Sequence, residues 1–155
     1  MSVGARVSSV FLVAALAGCG GEMDVAFDVD AGDYVALGKQ SVDQRKCATC
    51  HEDSASAGTL SGSMTPVAGT MTFGGNLTPD VATGIGGWAD VAIVRAMRAG
   101  VDDTSRELCP SMTRYPAMSD VEARAIVAYL RSLLPVSRAV PQSVCIFPDM
   151  SAPGD

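Results

Sequence analysis

The sequence predicts a small all-α domain of three to four helices with long loops. Two observations carry the prediction: apolar side chains recur at helical spacing in three separate stretches, and no stretch alternates apolar and polar residues over a convincing strand length. A third shapes it: residues 52–87, between the first and second stretches, are rich in Gly, Ser and Thr with little periodicity, which marks a long loop wrapped around something. The 155 residues suit one domain and not two. With 48% hydrophobic and 18% charged residues the composition is globular, yet aromatics are only 5%, so the core needs another source of bulk. A formal charge of -6 argues against a nucleic-acid or anionic-lipid surface as partner and favours a partner with a basic patch.

Taken in order, residues 1–18 carry Arg6, the apolar run Val10–Leu16 and a small-residue end, the pattern of a secretory signal. The run is about half the roughly 20 residues a bilayer span needs. Leu16-Ala17-Gly18-Cys19 is similar to the bacterial lipoprotein signal, which implies lipidation of Cys19, export, and a membrane anchor facing the periplasm. Residues 19–33, with Glu22, Asp24, Asp28, Asp30 and Asp33 and no period, read as an acidic flexible tether. A domain is expected over 34–136, followed by a tail at 137–155. The first helix is expected from Tyr34 to Lys46 with Asp33 as its cap, Val35, Leu37 and Val42 on its apolar side, and Gly38 as a flat spot. In the second, about 89–99, Ile93, Ala96, Met97 and Gly100 follow the i, i+3, i+4, i+7 spacing and Gly100 supplies the stop. The third begins at the capping box Ser119-Asp120-Val121-Glu122, carries Ile126, Tyr129, Leu130 and Leu133 as a stripe, and ends before Pro135.

The chemistry sits at Cys47-Ala48-Thr49-Cys50-His51. C-x-x-C-H is the attachment signature of c-type haem: two thiols add to the vinyl groups and the adjacent imidazole is placed under the iron. A zinc site would need further ligands from Cys109 or Cys145, and a thioredoxin-like pair would need a βαβ setting that is missing. Covalent haem also supplies the missing core bulk. His51 is the single His of the chain, so once it is the proximal ligand a second His within the chain is impossible, and a Met sulfur is the natural distal candidate. Met23 and Met150 lie in terminal segments, Met97 on a helix face, and Met64 and Met71 in the early loop, which leaves Met112 and Met118. Met118 follows the extended Tyr115-Pro116-Ala117 segment and runs into the third helix's cap, on a loop free to cross the far face of a haem.

Three segments, CATCH at 47–51, GNLTPDVATGIGGWAD at 75–90 and MTRYPAMSDVEARAIVAYLRSLLPV at 112–136, together resemble the class I cytochromes c. Within that class the chain is similar to small bacterial haem domains related to the cytochrome subunits of membrane-bound alcohol and sugar-acid dehydrogenases. The resemblance implies a cytochrome c-like fold around one covalent haem c, with the Met of the M-S-D segment as iron ligand, which is Met118 here. It implies that the first and last helices cross, with Gly38 receiving Tyr129 or Leu130, and that Asn76 and Leu77 lie on the His side near a carbonyl that accepts from His51. Gly75 stands where such proteins often have Pro, Met112-Thr113-Arg114-Tyr115 departs from the usual Met-Pro-Tyr, and Ala89 replaces a capping Ser or Thr.

Trp88 either donates to a haem propionate or fills the core between loop and helix, and Tyr115 is expected to pack against the haem. Arg98, Arg106 and Arg114 read as surface charges sooner than propionate partners. Cys109 and Cys145, left over in an oxidising compartment, are expected to form a disulfide tying the tail to the loop before Met118. The expected function is a monohaem, His/Met-ligated electron carrier moving single electrons between redox proteins, with no small-molecule substrate. Alternatives are a haem subunit of a periplasmic dehydrogenase complex, a five-coordinate haem enzyme, and a zinc-binding lipoprotein.

Overall fold

The computed structural model describes residues 31–147. The expected signal segment, Cys19, the tether as far as residue 30 and the tail from 148 onward lie outside the described residues. Four helices follow in order: α1 (Ala31–Gln44), α2 (Ala48–His51), α3 (Asp90–Ala99) and α4 (Asp120–Ser132). Among the described residues there is no strand, only isolated antiparallel bridges at Met71–Val144 and Val101–Glu107. The all-α expectation holds.

Helix α1 starts three residues before the expected boundary, so Ala31, Gly32 and Asp33 belong to the helix and not to the tether. Asp33 lies in the first turn, where a negative charge is favoured by the positive end of the helix dipole. The helix also ends earlier, at Gln44. Lys46 adopts the left-handed conformation (φ 56°), its N–H reaches the Asp43 carbonyl and the Cys47 N–H reaches the Val42 carbonyl. These are the two bonds of a Schellman cap, formed here with Lys in place of the usual Gly. The turn redirects the chain, and α2 begins at once with Cys47 at its N-cap.

Helices α1 and α4 pack at closest range where Gly38 meets α4. A Cβ at Gly38 would overlap the Ala125 carbonyl and stand 2.8 Å from the Tyr129 Cβ. The crossing therefore takes Tyr129, as the resemblance implies, with the Ala125 backbone in place of Leu130. On α4, Ala123, Ala125, Ile126, Val127 and Leu130 are buried. Ile126 and Leu130 each stabilise the fold by about 1.5–3 kcal/mol on burial.

The Ser119 hydroxyl caps α4 by accepting from the Glu122 N–H at 3.2 Å. The return arm of the expected capping box is missing among these contacts, because the Glu122 carboxylate turns to Arg45 of α1, at 2.7 and 2.9 Å. Helix α3 has no side-chain cap at Ala89 and ends at Gly100 in the left-handed conformation, φ 69°.

Residues 52–89 are held by side chains that accept from or donate to backbone. Glu52 accepts from the Gly58 and Leu60 N–H groups, and Asp53 from Ala55 and Met64. Asn76 bridges Thr78, Thr83 and the Val136 carbonyl. This satisfaction of polar groups is what lets Ser61, Ser63, Asn76 and Thr78 be buried in a segment without regular structure.

Candidate functional site

The helices and the loop enclose a cavity of about 620 Å³, within the range of cofactor sites. Its wall includes Ile85, Ile93, Met97, Ile126 and Leu130, so a large apolar ring system suits it. Cys47 and Cys50 face it from α2 as free, half-buried thiols. One helical turn separates them, with the Cys50 and His51 N–H groups both reaching the Cys47 carbonyl. Burial pushes the Cys47 thiol up, which favours the uncharged form.

His51 closes α2, and its orientation is set from outside the helix. Nδ1 lies 2.7 Å from the Gly75 carbonyl; a carbonyl only accepts, so Nδ1 carries the hydrogen and Nε2 is left with its lone pair. Burial pushes the imidazole below its ordinary value, with the Gly75 carbonyl acting in the opposite sense. Burial thus favours the neutral ring, the state that ligates a metal. The loop reaches this position because it lies hard against α2: a Cβ at Gly74 would overlap the Cys50 carbonyl, and the Gly62 N–H donates to the His51 carbonyl at 2.9 Å.

Met118 borders the same cavity and is only 5% exposed. Its N–H reaches the Tyr115 carbonyl at 3.0 Å and its carbonyl accepts from Arg98 Nη2 at 2.6 Å, while the same nitrogen meets Asp120 at 2.7 Å. The Tyr115 N–H reaches the Met97 carbonyl at 2.9 Å, which fixes the other end of the segment on α3. Met112 also borders the cavity and is less buried.

Cys47, Cys50, His51, Asn76, Leu77, Trp88, Tyr115 and Met118 all line this one cavity. Trp88 and Leu77 pack against the hydrophobic core. Of the three arginines weighed from sequence, Arg106 reaches the cavity wall while paired with Asp102, whereas Arg98 holds the Met118 segment and Arg114 pairs with Glu107. The structure joins Cys109 to Cys145, with Cα atoms 4.9 Å apart, and both border the cavity.

Sequence reasoning missed Arg45. Its guanidinium carbon lies 4.2 Å from the centre of the Tyr115 ring, and its nitrogens grip Glu122. The hydrogen bond from Arg45 holds the Glu122 carboxyl below its usual value. The only sequence signal was its place two residues before Cys47. Val140, Pro141, Gln142 and Ser143 of the tail also line the cavity and were equally unforeseen.

Residues 35–134 match the family model described as Cytochrome c. Over 116 residues, 72% of this chain, the sequence is 38% identical to a subunit of nicotinate dehydrogenase from Pseudomonas putida, and the match takes in 10% of that protein. The chain thus spans about a tenth of the length of that curated relative.

Proposed function

We propose, from the premise that this chain belongs to the cytochrome c family, that it is a His/Met-ligated single-electron carrier working between redox proteins. The family sets the coarse chemistry: the chain binds covalent haem c and transfers electrons, and it is not a catalytic enzyme. What the haem supplies when bound is one reversible electron on iron.

The residues fit that group. Cys47 and Cys50 would hold it covalently, one turn apart on α2. His51 would ligate through Nε2, since Nδ1 is committed to Gly75. Met118 would hold the iron as its second protein ligand, and its burial on the cavity wall is the observation that carries this reading. The Met118 N–H bond to the Tyr115 carbonyl, the Tyr115 N–H bond to the Met97 carbonyl and the Arg98 bond to the Met118 carbonyl hold that segment on α3. Leu77, Ile126 and Leu130 exclude water from the site, which favours the less charged ferrous state. Replacing Met118 by Ala is expected to abolish the sulfur-to-iron absorption at the red end of the oxidised spectrum. An unchanged band would move the role to Met112, which borders the same cavity.

The relative named as a dehydrogenase subunit supports a second reading, in which this chain serves a dehydrogenase as its haem subunit. The chain's acidic charge supports docking on a basic patch. We further infer export and lipid anchoring at Cys19, supported by Leu16-Ala17-Gly18-Cys19. Incorporation of labelled fatty acid, lost in Cys19→Ser, is the expected outcome, and labelling that survives the substitution would refute the anchor.

A further inference from the structure

The family match ends at residue 134, but the chain continues along the haem cavity. From 136 to 145 it makes a contact at nearly every second residue, as an extended segment does when one face lies against a support. Val136 exchanges bonds with Thr78 and accepts from Asn76 Nδ2 at 2.7 Å. The Arg138 N–H reaches Thr83 at 2.9 Å and its guanidinium meets Asp53 at 2.7 Å, both side chains mostly buried. Val140 fills the space beside Gly62, where a Cβ would stand 2.5 Å from its Cγ1. The Ser143 hydroxyl accepts from the Phe73 N–H at 2.8 Å, and the Val144 N–H donates to the Met71 carbonyl at 3.0 Å. Cys145 then joins Cys109 on the opposite loop, 36 residues away in sequence.

These supports fall on either side of Gly75, whose carbonyl orients His51. Gly75 itself has nothing within 4 Å of where a Cβ would be, so its own residue gives the loop no rigidity. Its neighbours Phe73 and Asn76 both bond to the 136–145 segment, which adds to the packing of Gly74 on α2 and the Ser63 N–H bond to the Gly74 carbonyl. At its far end the disulfide reaches the loop that carries Met112, and Thr72 and Ser111 hydrogen-bond beside it at 2.8 Å.

We propose that residues 136–145 are a strap belonging to the haem site: it steadies the loop over His51, and the Cys109–Cys145 disulfide latches it to the opposite loop so that small ligands are kept from the iron. Reduction of the latch opens the site. Two electrons and two protons convert the disulfide to two thiols, and a dithiol reductant is oxidised to its own disulfide in the exchange. The strap is a further haem-contacting element, beyond the segment that the family match covers, and the latch makes access to the iron sensitive to thiol redox state.

The test uses the mature holoprotein, reduced at the iron with ascorbate, and carbon monoxide as the probe. With the latch intact, carbon monoxide binds slowly. Cys109→Ser/Cys145→Ser is expected to bind it about tenfold faster. If that variant fails to mature, the finished protein treated anaerobically with a phosphine, which takes oxygen from water as it reduces the disulfide, supplies the opened state. Ser143→Ala with the disulfide intact is expected to give a smaller acceleration in the same direction. Equal rates with and without the latch, with two free thiols titrated, would overturn the strap. The proposal rests on haem c filling the cavity and not on which Met ligates: fast binding to the untreated protein that Met118→Ala leaves unchanged would refute Met118 ligation, whereas the strap is judged only by comparing latched with unlatched protein.

Discussion

The α1–α4 pair and the 52–89 loop wall the same cavity by different means. Where α1 crosses α4, Gly38 admits the Ala125 backbone so closely that shape alone holds the register, with the Arg45–Glu122 pair as an added clasp. On the loop side there is no regular ladder, and order comes from single polar side chains such as Glu52, Asp53 and Asn76, each spanning several backbone groups. The helix pair resists change through excluded volume, and the loop through satisfied hydrogen bonds. The two halves should therefore fail in different ways: the first when an atom is added, the second when one is removed.

Adding a single carbon makes the larger test. Gly38→Ala should gain about 1 kcal/mol if helix propensity decides, since Gly is disfavoured within a helix by that amount. The new Cβ would instead overlap backbone of α4, which cannot swing aside as a flexible side chain could. We expect a net loss of about 3 kcal/mol from overpacking, seen as a lower midpoint in chemical denaturation of the holoprotein. A gain in stability would show that the helices part freely and that shape does not hold this half.

Much of the helical half was legible in the sequence because its signals are local. Gly100 stops α3 and Ser119 caps α4 as their residue types predict. The misses were equally physical. Lys46 closes α1 in a conformation that Gly would have announced, so the helix end and the start of α2 were hidden. Glu122 fits a local cap but is drawn 77 residues back in sequence to Arg45, a contact no local pattern records. The site's thiols and imidazole were plain from C-x-x-C-H, whereas Met112 and Met118 both border the cavity and differ by burial, which sequence spacing does not encode. The strap was hidden for the same reason as the loop. Its partners are single side chains, up to 85 residues away in the case of Asp53 and Arg138.

Removing one side chain is the corresponding test on the loop side. Asn76 is 4% exposed, and its amide donates to Thr83 at 3.0 Å and to the Val136 carbonyl at 2.7 Å while accepting from the Thr78 N–H at 2.9 Å and the Thr78 hydroxyl at 2.8 Å. Asn76→Ala creates little void by volume, but it leaves the wholly buried Thr78 N–H without this acceptor. A buried donor so orphaned costs about 1–3 kcal/mol, and we expect a loss of about 2 kcal/mol, smaller than at Gly38. Because the same amide ties the loop to Val136, amide exchange should quicken across 72–78 and 136–144 together while α1 and α4 keep their protection. If protection falls equally in the helices, the two halves are one cooperative unit and the contrast between shape and hydrogen bonding does not divide the molecule.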